Sequence, residues 1–283
     1  MARSITMSCV AGALCLCWLA QAQAADNSAE QAVYHDSIFS GGRWGVAVGG
    51  FAGFQPAYEG ADEYRFVGFP LVLPKFYGES YDAPPRSRIT YRGIDDIRLT
   101  ALTLGGLDIG PLAGYSFGRE ENLAARLQGL GDVDGGMTAG GFAAYHFDPF
   151  FVDIAYNAQI TGDSDTGHTW RFGLGMDHNL SERLSMSTYL NSSYASKDYM
   201  DAYFSVSPAQ SANSGLGIYD AGAGFKDIGL DIGFDYRLTE RVTMTTKAGY
   251  SRLLGDAADS PVTESRNQFF GGLGLTYTFG QTD

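Results

Sequence analysis

Cysteine is almost missing from this 283-residue chain: Cys9, Cys15 and Cys17 are the three it has, all near the N-terminus. A disulfide framework or a thiolate metal site in the remainder is therefore excluded. Positive charge is also scarce, with 19 Lys and Arg against 32 Asp and Glu and a net charge of −13. A nucleic-acid binder that relies on a basic footprint is excluded with it. Charged residues make up only 18%, below the roughly 25% typical of soluble domains. Long apolar runs are absent too. The longest, Cys9 to Ala20, is shorter than the roughly 20 residues a membrane-crossing helix needs. What the chain has in quantity is glycine, 38 residues, and aromatics, at 13%; a hydrophobic content of 45% is too high for a disordered chain.

The N-terminus reads as an address. Arg3 supplies a positive start, the Cys9–Ala20 run an apolar middle, and Ala22-Gln23-Ala24 a small-residue cleavage site. The residues before Cys15 and Cys17 lack the small residue of a lipidation box. We expect residues 1–24 to be a signal peptide, 25–41 a periplasmic N-terminal segment, and 42–283 one domain.

That domain is written in period two. Along Gly229–Leu238 one parity is Leu230, Ile232, Phe234, Tyr236 and Leu238; the other is Gly229, Asp231, Gly233, Asp235 and Arg237. Arg241–Tyr250 and Phe151–Ile160 alternate in the same way, and comparable segments bring the total to about twelve strands, with 10–14 possible. Two architectures bury such strands. A soluble sandwich turns the apolar faces inward, whereas a transmembrane barrel turns them out to lipid around a polar lumen. Aromatics cluster at strand ends (Trp44 and Phe54, Tyr115 and Phe117, Tyr145 and Phe147, Tyr277 and Phe279), as membrane girdles do. Tight turns at Asp148-Pro149, Asn179–Glu182 and Thr239-Glu240 alternate with long connections at Glu120–Asp134, Thr161–Gly167, Ala195–Ala221 and Gly255–Glu264. Short periplasmic turns alternating with long outer loops describe an outer-membrane barrel. The expected fold is thus all-β: a transmembrane, antiparallel, up-and-down β-barrel in the outer membrane of a Gram-negative cell.

Several blocks carry a resemblance. Tyr250–Pro261, with Arg252, Gly255, Asp256, Asp259, Ser260 and Pro261, precedes the closing strand Gln268–Phe279 and is similar to the C-terminal signature of the MipA/OmpV family. Pro56–Tyr64, with Tyr58, Gly60, Asp62 and Tyr64, followed by Pro70, resembles its first-loop pattern, and Gly118-Arg119 with Leu127–Asp132 its middle pattern. The resemblance implies an outer-membrane barrel without catalysis. It further implies a scaffold joining a lytic transglycosylase to a penicillin-binding protein. Lipids and lipopolysaccharide would surround it. Independently of the resemblance, Gly272–Phe279 is an amphipathic last strand ending in an aromatic, the kind of segment the barrel-assembly machinery reads during biogenesis.

Candidate chemistry is sparse. Asp163, Ser164 and His168 can be drawn as a hydrolase site, but no signal supplies an orienting acid or an oxyanion hole. Asp163-x-Asp165-x-Gly167 offers two carboxylates, too few for the 6–8 oxygens of Ca²⁺. No catalytic residue, metal or cofactor is expected. Asp153, Arg171, Asp177, Asp231, Asp235, Arg237 and Lys247 fall on the inward parity and would fill the lumen as paired charges. Arg252 would pair with a carboxylate of its own loop. The aromatic stretch Ala195–Ala221 is expected to fold back into the barrel mouth. Among the periplasmic connections, Lys75–Arg86 is the docking candidate, through Tyr77 and Tyr81, with continuation of a strand as the alternative reading of the same stretch. A narrow passive channel, or a surface-exposed binding or adhesion protein, is the alternative.

Overall fold

The computed structural model describes residues 42–78, 88–162 and 166–280. The signal-peptide and N-terminal readings, Tyr81, and the Asp163–Asp165 readings lie outside them.

Thirteen strands build the wall: β1 (Gly42–Pro56), β2 (Tyr64–Gly78), β3 (Ile89–Tyr91), β4 (Ile97–Leu99), β5 (Leu102–Leu104), β6 (Leu107–Ser116), β7 (Gly136–Phe147), β8 (Phe150–Gln159), β9 (His168–Asn179), β10 (Leu184–Ala195), β11 (Gly224–Arg237), β12 (Val242–Leu253) and β13 (Asn267–Gly280). They pair antiparallel in the order β2-β1-β13-β12-β11-β10-β9-β8-β7-β6-β4-β3, which is twelve wall positions, and β5 continues β4 along β6. The first strand pairs with the last, Val46 opposite Phe279, as closure of a meander requires. Between β3 and β2 the Arg88 N–H donates to the Phe76 carbonyl at 2.7 Å. The barrel is thus nearly closed. Among the described residues no helix is long and apolar enough to cross a membrane.

Which face is buried decides between the two architectures, and it is the polar one. On β11, Leu230 is 42% exposed and its neighbour Asp231 8%; Ile232, Phe234 and Tyr236 follow Leu230, while Asp235 follows Asp231. The apolar parity faces out, so the hydrophobic belt is a lipid-facing surface. Aromatic residues ring both ends of that belt: Trp44, Tyr145, Phe147, Phe150, Tyr277 and Phe279 at the end of the tight turns, and Phe54, Tyr64, Tyr115, Tyr250 and Phe269 at the end of the long loops.

Lys75–Gly78 is the end of β2, held by the ladder that sets Tyr77 opposite Arg43, and the rest of Lys75–Arg86 lies outside the described residues or in the approach to β3. Phe117, whose ring meets that of Tyr115 edge-on at 5.1 Å, also packs against the buried cluster of Phe51, Leu71, Leu73 and Tyr91.

Candidate functional site

The lumen is built in three storeys. Uppermost is a folded cap of outer loops. Helix α1 (Lys197–Phe204) starts at Ser196, whose hydroxyl accepts from the Tyr199 N–H, and helix α2 (Pro208–Ser214) has a capping box from Ser207 and Gln210. Met200, Tyr203 and Phe204 of α1 pack on Ala257 and Ala258 of helix α3 (Gly255–Asp259), and Tyr58, Ala61, Leu127, Leu130, Val206 and Val262 form a second buried cluster beside them. The expectation that Ala195–Ala221 folds back over the mouth holds.

Most of the residues singled out from the three sequence blocks fasten this cap. The Tyr58 hydroxyl lies 2.9 Å from both the Val262 carbonyl and a Glu264 carboxylate oxygen, two acceptors that share its one proton. Gly60 sits at a φ of +99°, where a Cβ would fall 2.9 Å from the Thr263 hydroxyl, and its N–H donates to the Gln268 side chain. The Tyr64 hydroxyl accepts from the Phe269 N–H. Arg119 is buried and donates to the Tyr203 carbonyl at 2.7 Å. Ser260 donates to the Phe204 carbonyl, and the Pro261 carbonyl accepts from Arg126. Asp256 accepts from the Gly222 N–H. Burial, reinforced by Glu264, pushes the Tyr58 phenol well above its ordinary range. Asp62 is exposed. The carboxylate expected for Arg252 is taken by its neighbour: Arg266 pairs with Asp259 at 2.5 Å, while Arg252 donates to the Asn267 amide oxygen. In β12, Arg252 lies opposite Asn267, which sets that amide within its reach.

Beneath the cap lies a cavity of about 110 Å³, whose lining includes Thr138, Asn157, Asn191, Asp231, Tyr199 and Lys226. Lys226 bridges Glu59 and Asp227 there, and Asp231 accepts from Asn191.

The cavity floor is the turn between β3 and β4, which leaves the wall and enters the lumen. The Asp95 carbonyl accepts from Thr138 on β7 and Asn157 on β8. Arg171 on β9 reaches Asp96 at 2.8 Å and Asp95 at 3.2 Å. Arg98 holds Asp96 through two bonds, at 2.8 and 2.9 Å, and also bonds Asp153 on β8, which takes a further bond from Tyr189 on β10 at 2.7 Å. The Arg92 guanidinium lies 4.6 Å from the Phe151 ring centre and 4.8 Å from that of Tyr189. Three arginines thus face three aspartates, so the network is formally charge-balanced; Arg92, Arg98, Asp96 and Asp153 are buried, and Asp95 and Arg171 partly so. Asp153 and Arg171 were legible as inward charges. Arg92, Asp95, Asp96 and Arg98 were missed, because a short turn between two strands carries no sign that it dips into a barrel; the run of four charges among seven residues was the available hint. Of the remaining lumen candidates, Asp231 and Asp235 are buried, and Lys247 and Asp177 are partly buried on the inward parity. Arg237 is exposed at the rim, where it bonds the Glu182 carbonyl. His168 stacks near Tyr156 at 5.3 Å. Among the described residues no group of three or more His, Cys, Asp or Glu could hold a metal.

The chain is similar to several known proteins. The putative outer membrane protein YiaT of Escherichia coli K12 is 28% identical over 140 residues, 49% of this chain and 56% of that one. The outer membrane protein Omp26La of Vibrio anguillarum is 34% identical over 89 residues, 31% of this chain and 33% of that one. The aligned stretches thus span about half, or less, of these relatives. Among solved structures, a NanC porin superposes with a TM-score of 0.39 at 7% identity, over 82% of this chain and 98% of that one. The family described as MltA-interacting protein MipA matches residues 48–279, nearly the whole barrel. This chain is a member of that MipA family and an outer-membrane β-barrel protein.

Proposed function

We propose that this protein is a closed, non-catalytic barrel whose role is structural: an outer-membrane anchor on which murein-cleaving and murein-synthesising enzymes assemble from the periplasmic side. The observation that supports this reading is the occluded lumen. A hairpin turn tied by buried ion pairs to β8 and β9 crosses it, and a packed cap lies above. A charge-balanced plug under a folded lid blocks passive conduction through the lumen. With the interior closed, the available interaction surfaces are the two ends. The family description names an interaction with MltA, and periplasmic enzymes can reach only the end bearing the tight turns and the end of β2 with Tyr77. The experiment is photocrosslinking in intact cells from Tyr77 and Tyr81, with identification of the captured proteins. Capture of a lytic transglycosylase or penicillin-binding protein supports the scaffold; capture of assembly factors alone removes it. Planar-bilayer recordings provide the second arm: steady unitary currents from the unaltered protein would move the assignment to a passive channel.

A further inference from the structure

The wall has a gap, and it lies toward the outer leaflet. Strand β2 has fifteen residues, and β1 pairs with all of them. On its other edge stands only the three-residue β3, whose partner is β4. Backbone groups of one parity point to that edge, as the Phe76 carbonyl accepting from Arg88 and the Pro74 carbonyl accepting from the Tyr91 hydroxyl show. The same parity includes Phe66, Gly68, Pro70 and Val72. Among the described residues no hydrogen bond reaches these four from the seam. Above the level of Ile97, which pairs with Ala113 on β6, the chain turns inward as the floor of the cavity. Between the outer half of β2 and the end of β6, where the Ile94 carbonyl accepts from the Tyr115 N–H, no strand stands in the wall among the described residues.

Exposure records the gap. Phe66 is 77% and Val72 65% exposed, against 42% for Leu230, which has strands on both sides. The inner side of the seam is apolar, unlike the rest of the lumen: Phe51, Phe69, Leu71, Tyr91, Ile94 and Phe117 pack there. Prolines at 70 and 74 remove two of the edge's N–H donors in its deeper part. The N–H groups of Phe66 and Gly68 remain, just below the girdle residue Tyr64. An open strand edge is not tolerated against hydrocarbon unless its polar groups are met. At that depth a lipid presents ester or amide carbonyls, with its acyl chain running down toward the middle of the bilayer.

We propose that the free edge of β2 from Phe66 to Val72, with Ile94 and Phe117 behind it, is a groove that binds one acyl chain of an outer-leaflet lipopolysaccharide, its carbonyls meeting the Phe66 and Gly68 N–H groups. The outer leaflet is chosen by depth, because the strandless part of the seam begins at Tyr64, beside the long-loop end.

Native mass spectrometry of the detergent-purified protein, titrated with lipid A or with phosphatidylethanolamine, tests this. Gly68→Trp fills the groove and is sterically admissible, since a Cβ at Gly68 meets nothing nearer than the Phe51 carbonyl at 3.7 Å. Leu230→Trp, on a regular part of the wall, is the control, and heat-modifiable mobility verifies that both variants are folded. The expected result is one tightly retained lipid A per barrel, weakened about tenfold by Gly68→Trp and unchanged by Leu230→Trp. Equal weakening by both variants, retention of phosphatidylethanolamine in preference to lipid A, or no retained lipid would each overturn the proposal.

Discussion

Asp153 shows how much can rest on one side chain. It meets Arg98, lies 3.9 Å from Arg92, and accepts from Tyr189. Asp153→Asn keeps its shape but leaves two buried guanidinium groups short of their counter-charge. Breaking one partner of a buried ion pair costs about 3–5 kcal/mol, so the variant should lose heat resistance on semi-native gels; an unchanged unfolding temperature would show that the network does not bear on stability. Gly175 tests packing in the same storey. A Cβ there would lie 2.0 Å from the Phe151 ring, so Gly175→Ala should destabilise by roughly 1–3 kcal/mol through overpacking. Gly217→Ala, with nothing within 4 Å, should be silent in the same assay. Asp153 could be read from sequence as inward because the two-residue period assigns its face. Its partners could not, since Arg98 and Tyr189 lie 55 and 36 residues away.

At the scale of elements, the cap and the plug behave as separate devices. The cap is pinned by Tyr58, whose phenol is held protonated by burial. A group whose folded-state pKa is raised contributes stability that is fully present below its unfolded value, about 10, and is lost as pH rises through the folded value. Limited proteolysis of the outer loops should therefore be flat from neutral pH to about 10 and accelerate above it, and Tyr58→Phe should lessen that step, the remainder belonging to Tyr199, Tyr203 and Tyr219, whose phenols burial also pushes up. Cleavage that rises equally in both proteins would point to another group. For the plug, replacing Arg92–Asp96 by a short glycine turn should leave the wall ladders intact and open the floor. Unitary currents in planar bilayers are then expected where the unaltered protein gives none. Continued silence would mean that the cap alone seals the barrel. The strands themselves were readable because alternation and strand-end aromatics are local. The hairpin's entry into the lumen depends on β6, where Gly114 lets the backbone of Asp95 approach so closely that a Cβ would fall 2.5 Å from its Cα.

For the whole molecule, two signals in the chain settled the architecture before any contact was known: a period of two with glycine and charge on one parity, and short connections alternating with long ones. Both are local in sequence, and only a lipid-embedded meander satisfies them together. The spacing of the family blocks likewise pointed to the outer loops, although not to the fact that Tyr58, Arg119 and Ser260 meet in a single lid. What tertiary structure alone decided is the state of the interior and the integrity of the wall. Whether inward charges line a pore or cancel one another depends on which strands the closed register brings face to face, and here it set Arg171 of β9 against the turn after β3. Whether every strand has two neighbours depends on where the chain leaves the wall, and the inward turn at residues 92–96 left β2 with an open edge. Sequence determines the face of each strand, because that follows from the pleat; the pairing of distant charges and the gap beside β2 arise only when the barrel closes.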